Sequence, residues 1–343
     1  METRGNPVPE PVRIAVVGTG HLGRTHARLL SGLPEASLVG VVDVREKAAR
    51  ETGEALGVPW STDPELGPGE WGAEAVSLVV PTRHHASLAV RYLEEGLDLL
   101  VEKPISRTIE EAERMCRSAE AGGRILQIGH VERFNPVIRA AFEYGIRPRY
   151  LEAERLAPFS FRSTDIGVVL DLMIHDLDLI LAFIPEPIED VEAFGGAIFT
   201  SEEDLASARI RFRSGSVARL TANRVALKPG RRMRMFSTDS YVSLDFSKKY
   251  GLIIKKGPGW DLGRLDLSKV DPEEIGDLWK YVFEGLLTVK ELRMPEENPL
   301  EEELRSFLSS VRTRRAPEVD GRAGKRALEA ATLVLDSIRR HRW

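Results

Sequence analysis

Short apolar runs alternate with amphipathic helical patterns over residues 1–131. The apolar runs are RIAVVG at 13–18, SLVGVVD at 37–43, AVSLVVPT at 75–82, LDLLVEKP at 97–104 and RILQIGH at 124–130. Apolar strands that alternate with helices are typical of a parallel sheet covered on both faces. We therefore predict an N-terminal α/β domain, a doubly wound parallel Rossmann sheet, over residues 1–131.

The pattern changes in residues 132–343, where polar and apolar positions alternate. The alternation is clear at Ala208–Phe212 and Arg232–Phe236, and it indicates antiparallel strands with one polar face. We predict an α+β domain here, built on an open, mainly antiparallel sheet. Such a face needs cover, so we expect a homodimer or homotetramer formed through it. Helical patterns occur before and after the strands at 137–144, 299–314 and 323–340.

One helical pattern in the second domain, Val168–Ile180, carries charged side chains within an apolar run. At helical spacing Asp171, His175 and Asp178 share one face, and large apolar side chains occupy the others. Buried carboxylates and imidazoles need partners because their burial alone is costly. This polar stripe is therefore predicted to face a cavity, a ligand or a metal ion.

A glycine-rich segment follows the first apolar run and opens a helical pattern. This glycine turn is Gly18-Thr19-Gly20-His21-Leu22-Gly23, and Asp43 ends the next predicted strand. In dinucleotide-binding folds the glycines let backbone N–H groups approach a pyrophosphate, and the acid accepts hydrogen bonds from ribose hydroxyls. We predict that the turn and Asp43 bind NAD. NADP is less favoured because Asp43 repels a 2′-phosphate, although Arg45 weakens that preference.

The carboxyl ends of the other predicted strands should line the same crevice. They are followed or ended by Pro81, Thr82, His85, Glu102 and Lys103, and we predict that these residues also contact the cofactor. The proline after Lys103 excludes the helical conformation for that lysine. A lysine at this edge can polarise a substrate oxygen or transfer a proton, although a strand-end surface lysine is an open alternative.

Composition narrows the possible classes of protein. The chain has 343 residues, 42% apolar and 29% charged, with one cysteine and a net charge of −5. These values fit a globular protein of two domains, and we expect neither nucleic acid nor a membrane as a partner. A single cysteine excludes an internal disulfide. The polar, proline-rich N-terminus lacks a signal-peptide pattern, so we expect a cytoplasmic location.

Several motifs occur together in one order along the chain: the glycine turn, Asp43, the tripeptide Glu102-Lys103-Pro104, and Asp171-x-x-x-His175 followed by Asp178. In this combination the chain resembles the Gfo/Idh/MocA family of oxidoreductases. The resemblance implies an NAD(P)-dependent dehydrogenase that acts on a sugar hydroxyl. It also implies that Lys103 lies beside nicotinamide and substrate, that His175 acts as acid or base, and that Asp171 orients the substrate or the imidazole.

The segment GHVERFNPVIRA at 129–140 and the Ile166-Gly167 pair are similar to the nucleotide-sugar branch of that family, the UDP-N-acetylglucosamine 3-dehydrogenases. This similarity implies oxidation of the C3 hydroxyl of a UDP-N-acetylhexosamine, such as UDP-N-acetylglucosamine, to the 3-keto sugar. The predicted substrate contacts are Arg133, Asn135, Arg155, Arg162 and Ser163, together with Asp171 and His175. Arginine forks suit the two phosphates of such a substrate. For Arg133 and Asn135, a connector held by the packing of Phe134 is an equal alternative.

Other functions remain open at this point. Asp171, His175 and Asp178 could ligate zinc or iron, but the chain has only seven histidines and no cysteine cluster, so we predict no metal. A non-catalytic dinucleotide sensor would keep the glycine turn without needing Lys103 or His175. An inositol or free-sugar dehydrogenase is the alternative within the same family.

Overall fold

The structure is a computed structural model that describes residues 10–65, 67–160, 166–257, 260, 286–294 and 296–341. It divides the chain into two compact units, the first made of Met1–Phe134 with Asn298–Glu329 and the second of Asn135–Glu297 with Ala330–Trp343. Within the described ranges, no helix has both the length and the apolar character that crossing a membrane requires.

The first unit contains a six-stranded parallel sheet. Its strands are β1 Val12–Val17, β2 Ala36–Val42, β3 Trp60–Ser61, β4 Ala75–Leu78, β5 Asp98–Glu102 and β6 Leu126–Gly129. They lie in the order β3-β2-β1-β4-β5-β6, and all pair in parallel. Successive strands are added outwards from β1 on one side of the sheet and from β4 on the other. Ligands bind at the carboxyl ends of the strands at such a switch point. The predicted Rossmann sheet is confirmed.

Helices cover the sheets of both units. They are α1 His21–Gly32, α2 Glu46–Leu56, α3 Gly67–Glu70, α4 His85–Glu94, α5 Ile109–Gly122, α6 Pro136–Glu143, α7 Ile174–Phe183, α8 Pro299–Thr313 and α9 Gly321–Arg340. Local chemistry sets their ends. The Thr108 hydroxyl caps α5 by accepting a bond from the backbone N–H of Glu111 at 3.2 Å, and Gly123 ends the helix in the left-handed region.

The chain returns to the first unit after the second has been built. Leu304 and Phe307 of α8 pack into the core that contains Ile14 and Val16 of β1. At the start of α9, Lys325 donates a hydrogen bond to Glu113 of α5 at 2.8 Å. We expected α8 and α9 within the domain at 132–343. An amphipathic pattern shows that a helix has an apolar face, but it does not show which core receives that face.

The second unit contains an eight-stranded mixed sheet. Its strands are β7 Tyr150–Leu156, β8 Ile188–Gly196, β9 Leu205–Phe212, β10 Val217–Asn223, β11 Gly230–Phe236, β12 Ser240–Asp245, β13 Tyr250–Lys256 and β14 Leu287–Arg293. The order is β14-β13-β12-β11-β7-β10-β9-β8. Among the described strands of this sheet, only the β7–β10 pair is parallel, so the expected mainly antiparallel sheet is confirmed.

The two faces of this sheet differ in polarity. One face buries Ala153, Leu220 and Met233 in a core that also takes Leu177 and Ile180 of α7. This packing fixes the helix that carries His175. The opposite face carries charged side chains on neighbouring strands, including Glu152, Arg219 and Arg234. Association of copies through that face stays a prediction.

Candidate functional site

The glycine turn between β1 and α1 has the shape of a phosphate-binding cradle. Gly18 has φ of 95°, and a Cβ atom there would lie 2.3 Å from the Val79 carbonyl oxygen. A Cβ on Gly23 would lie 1.8 Å from the Gly18 oxygen. Gly20, by contrast, faces space in which the nearest atom is the Arg45 guanidinium, 4.0 Å from its would-be Cβ. The turn is therefore closed towards the protein and open at Gly20, which fits the pyrophosphate of a dinucleotide.

Two glycines of α1 give a matched test of this close packing. We expect Gly23→Ala to lower the free energy of unfolding by about 3 kcal/mol or more, because its methyl group overlaps the Gly18 carbonyl. Gly32→Ala adds the same methyl group at a position with no atom within 4 Å, and it should change stability by less than ~1 kcal/mol, in the stabilising direction. Urea unfolding of both variants measures the difference. Equal effects would show that the turn tolerates a side chain.

Asp43 lies directly after β2 and is joined to the glycine turn. Its carboxylate accepts hydrogen bonds from the Thr19 backbone N–H at 2.9 Å and from the Thr19 hydroxyl at 3.2 Å. The Arg45 side chain donates two further bonds, at 3.0 and 3.1 Å. Burial opposes ionisation, but the bonds from Arg45 and Thr19 prevail and lower the pKa of Asp43. The acid is therefore ionised beside the turn, where the sequence predicts the adenosine ribose.

Glu102 is the last residue of β5 in the same unit, and Lys103 follows it. The Lys103–Pro104 peptide is cis. Glu102 is 9% exposed, and its Oε1 atom lies 3.2 Å from Nε2 of His26 on α1. The other carboxylate oxygen accepts a bond from the Lys103 backbone N–H at 3.3 Å. Lys103 itself is half-buried. No spacing along the sequence signals this contact between His26 and Glu102.

His85 has a different role from the predicted contact with the cofactor. The ring is 1% exposed, and its two nitrogens lie 3.0 Å from the Pro104 carbonyl oxygen and 2.9 Å from that of Val80. Burial outweighs these carbonyls and lowers the pKa of His85. Both ring nitrogens thus face the protein, and the side chain fastens the segment after Lys103 to the segment after β4.

The other predicted cofactor contacts lie around the same edge of the sheet. Pro81 is exposed and Thr82 is half-buried at the start of the short 3₁₀ turn Thr82–His84. His21 and Leu22 are exposed in the first turn of α1, and no side chain caps that helix. These positions leave the backbone at the start of α1 available to a phosphate group.

In the second unit, Asp171 and His175 occupy a helix that changes its winding. Val169–Met173 is a π-helical turn that contains Asp171, and α7 begins directly after it. Both side chains are half-buried, whereas Asp178 is only 1% exposed. Single π-turns are frequent at functional sites. The predicted stripe therefore separates into two accessible groups and one buried acid.

Glu203 holds the N-terminal end of this helical segment. Its Oε1 atom accepts a hydrogen bond from the Val169 backbone N–H at 3.2 Å, and its backbone carbonyl accepts one from Val168 at 2.9 Å. Gly167 leaves room for this side chain, since a Cβ there would lie 1.9 Å from Oε1. Burial raises the pKa of Glu203. Gly167 is therefore needed because the Glu203 side chain that caps this helical segment occupies the space of a Cβ atom.

Arg155 contradicts the predicted contact with substrate phosphates. It is 3% exposed, and its guanidinium makes two hydrogen bonds of 2.8 Å to the carboxylate of Asp176. The fork joins β7 to α7 inside the second unit. Arg155 therefore supports the helix that carries His175, because its guanidinium is buried and paired with Asp176 of that helix.

The remaining predicted substrate residues divide into three cases. Asn135 is 5% exposed and caps α6, as its side-chain oxygen accepts a bond from the Val137 N–H at 3.3 Å. Arg133 is half-buried in the short turn Val131–Phe134, and Phe134 is 1% exposed, as the connector alternative expects. Arg162 and Ser163 lie outside the described residues.

The described part of the chain contains no set of side chains that would support the metal alternative. No group of three histidine, cysteine, aspartate or glutamate side chains is arranged there to hold an ion. Asp171, His175 and Asp178 accordingly do not form such a group. Asp171 and His175 leave a carboxylate and an imidazole one helical turn apart, which is a pair suited to proton transfer at a hydroxyl.

Comparison with known families assigns both units. Residues 12–130 match the family model described as an oxidoreductase family with an NAD-binding Rossmann fold. Residues 137–242 match the model of the GFO/IDH/MocA C-terminal domain. The two matches span the glycine turn, Lys103 and His175.

Individual relatives match nearly the whole chain. The UDP-N-acetylglucosamine 3-dehydrogenase of Acidithiobacillus ferrooxidans is 37% identical over 324 residues, which are 94% of this chain and 96% of that enzyme. A solved structure of that enzyme has a TM-score of 0.83 at 34% identity and covers 96% of this chain and 98% of its own. The myo-inositol 2-dehydrogenase of Thermotoga maritima is 26% identical over 335 residues, 92% of this chain and 93% of the relative.

Proposed function

The chain belongs to the GFO/IDH/MocA family of oxidoreductases, and we propose that it oxidises the C3 hydroxyl of a UDP-N-acetylhexosamine, with UDP-N-acetylglucosamine as the substrate. The product is the corresponding 3-keto sugar. The observation that carries this proposal is the near-full-length similarity to the Acidithiobacillus ferrooxidans enzyme, because it extends through the second unit as well as the first. Similarity of the first unit alone would support only the use of a dinucleotide.

The proposed reaction removes a hydride from C3 and a proton from the hydroxyl at that carbon. A bound nicotinamide dinucleotide supplies the hydride acceptor. His175 takes the proton as general base, the role that imidazole side chains fill most often in enzymes. Asp171 orients the imidazole or the sugar. The Lys103 ammonium stabilises the negative charge that develops on the oxygen.

We propose NAD as the dinucleotide that the first unit prefers. The support is the ionised Asp43, since a carboxylate accepts bonds from ribose hydroxyls and repels a 2′-phosphate. Arg45 competes for that carboxylate through two side-chain bonds. Its side chain is 66% exposed, so it can also turn towards a phosphate. The preference therefore depends on both residues.

Two substitutions separate their contributions. We expect Asp43→Ser to weaken NADH binding by about 10- to 100-fold, the loss of one or two bonds to a charged group, and to strengthen NADPH binding. Arg45→Ala should weaken NADPH binding and leave NADH binding within about threefold. Fluorescence titration of each reduced dinucleotide gives the Kd values. An unchanged ratio of the two Kd values in Asp43→Ser would contradict the proposed role of Asp43.

Substrate screening tests the proposal as a whole. The purified protein with NAD should reduce the dinucleotide when UDP-N-acetylglucosamine is added, and the pair should raise the melting temperature by mass action. Myo-inositol is the matched competitor, because an inositol dehydrogenase is also similar over nearly the whole chain. Turnover of myo-inositol but not of UDP-N-acetylglucosamine would show that the substrate is a cyclitol and not a nucleotide sugar. Turnover of neither substrate, with dinucleotide binding intact, would favour a sensor.

A further inference from the structure

A buried row of three polar side chains, Ser77, His26 and Glu102, ends next to Lys103 in the first unit. It begins at Ser77 in β4, whose hydroxyl oxygen lies 2.9 Å from Nδ1 of His26. The other ring nitrogen, Nε2, lies 3.2 Å from Oε1 of Glu102. Glu102 then accepts the Lys103 backbone N–H through its second oxygen at 3.3 Å. Ser77 and His26 are fully buried, so solvent does not reach these two side chains.

The imidazole of His26 lies between a hydroxyl and a carboxylate. Its Nδ1 atom forms a hydrogen bond with the Ser77 hydroxyl, and its Nε2 atom lies within ion-pair distance of Glu102 Oε1. Burial raises the pKa of Glu102, but the neighbouring His26 side chain and the positive charge of Lys103 prevail and lower it. The acid next to Lys103 is therefore held as an anion between His26 and the Lys103 backbone N–H.

The fold pays a cost to keep this acid, which argues against a purely structural role. An apolar side chain at the end of β5 would avoid the burial of a charge. The neighbouring strand also makes room for the acid, since a Cβ on Gly129 would lie 2.9 Å from Glu102 Oε1. Hydrogen bonds that orient a functional side chain through a second residue are a general device for precise placement.

We infer that His26 is a positioning residue for Lys103, acting through Glu102. The imidazole fixes the carboxylate, and the carboxylate fixes the Lys103 backbone and lies beside its charge. The inference rests on the proposed function in so far as Lys103 takes part in the reaction. It assigns His26 no contact with cofactor or substrate.

Three variants test the inference. His26→Leu removes the imidazole that lies against Glu102. His26→Gln keeps a polar N–H group near the position of Nε2 and is the conservative rescue. Gln127→Met is the control, because Gln127 is equally buried in the first unit and bonds to the Glu303 carbonyl at 3.1 Å, away from the chain of Ser77, His26 and Glu102.

The leucine variant should lower kcat about 10- to 100-fold, the usual effect of a displaced catalytic group, with KM and the Kd of NADH within about threefold of wild type. His26→Gln should recover most of the loss, and Gln127→Met should keep the wild-type kcat. Hydrogen exchange of the protein without ligands adds a readout that is independent of activity. The Lys103 amide should exchange faster in His26→Leu and at the wild-type rate in Gln127→Met.

The inference is overturned if His26→Leu keeps the wild-type kcat, or if glutamine fails to restore it while both variants melt at the same temperature. An unchanged exchange rate at the Lys103 amide overturns it as well, even if no substrate has been found. If His26→Leu does not fold, Ser77→Ala replaces it. That variant loses only the hydroxyl that holds the imidazole, and its kcat should fall about threefold or more, with an unchanged kcat as the opposing result.

Discussion

Replacing His175 with alanine should lower kcat for UDP-N-acetylglucosamine oxidation by about 10²- to 10⁴-fold, the usual contribution of a general base. His175 is the half-buried imidazole at the start of α7, directly after the π-helical turn that carries Asp171. The Kd of NADH should not change, because the glycine turn and Asp43 belong to the first unit. Steady-state kinetics and fluorescence titration of the same preparation give both values.

His341→Ala is the matched control for this prediction. His341 is an exposed histidine of the second unit, and its Nδ1 atom lies 2.9 Å from the Ser337 carbonyl oxygen. Its removal should leave kcat unaltered. A kcat for His175→Ala within about threefold of wild type would exclude His175 as the base.

Replacing Lys103 with methionine should lower kcat by about 10²- to 10³-fold, which is typical when one group that stabilises a developing oxyanion is lost. Methionine keeps the length of the side chain and removes its charge, so the half-buried position is still filled. Lys103→Arg should not restore the rate, because a planar guanidinium cannot replace a compact ammonium at this position. Turnover numbers at saturating NAD and substrate measure both effects.

Lys47→Met is the control for the loss of a positive charge. Lys47 lies on α2, 81% exposed, and pairs with Glu51 across one helical turn. Such surface ion pairs contribute little to the free energy of unfolding, and kcat of Lys47→Met should stay at the wild-type value. If Lys103→Met raised only KM, the lysine would bind substrate without stabilising the transition state.

The sequence predicted those parts of the fold whose signals are local. The predicted strand at 13–18 corresponds to β1, Val12–Val17, and the glycine turn opens α1 as expected. The helical pattern at 137–144 corresponds to α6, which Asn135 caps with Pro136 in the first turn. In each case a few neighbouring residues carry both the conformational preference and the capping chemistry.

Elements that depend on distant partners could not be predicted in the same way. Strand β14 was missed because six of its seven residues are exposed or half-buried, with a single buried residue, Leu292, so no alternation marks it. The return of α8 to the first unit was missed because its apolar face fits either core. The π-helical turn before α7 has no counterpart in the hydrophobic pattern.

The candidate site divides along the same line. Motif spacing led to the glycine turn, Asp43 and Lys103, because backbone geometry and strand ends fix those positions. Arg155 was assigned to phosphate because the sequence did not show that Asp176 is its partner. The contact of His26 with Glu102 could not be predicted, since it depends on the approach of α1 to β5 and not on any spacing along the chain.

Isotope transfer from a labelled substrate tests the central claim most directly. The protein is incubated with NAD and UDP-N-acetylglucosamine deuterated at C3, and the reduced dinucleotide and the sugar are analysed by mass spectrometry. We predict reduced dinucleotide that carries the deuterium, together with a 3-keto sugar that has lost it. Recovery of fully deuterated sugar with no reduced dinucleotide, in a preparation that binds NADH, would contradict the assignment of this chain as a sugar dehydrogenase acting at C3.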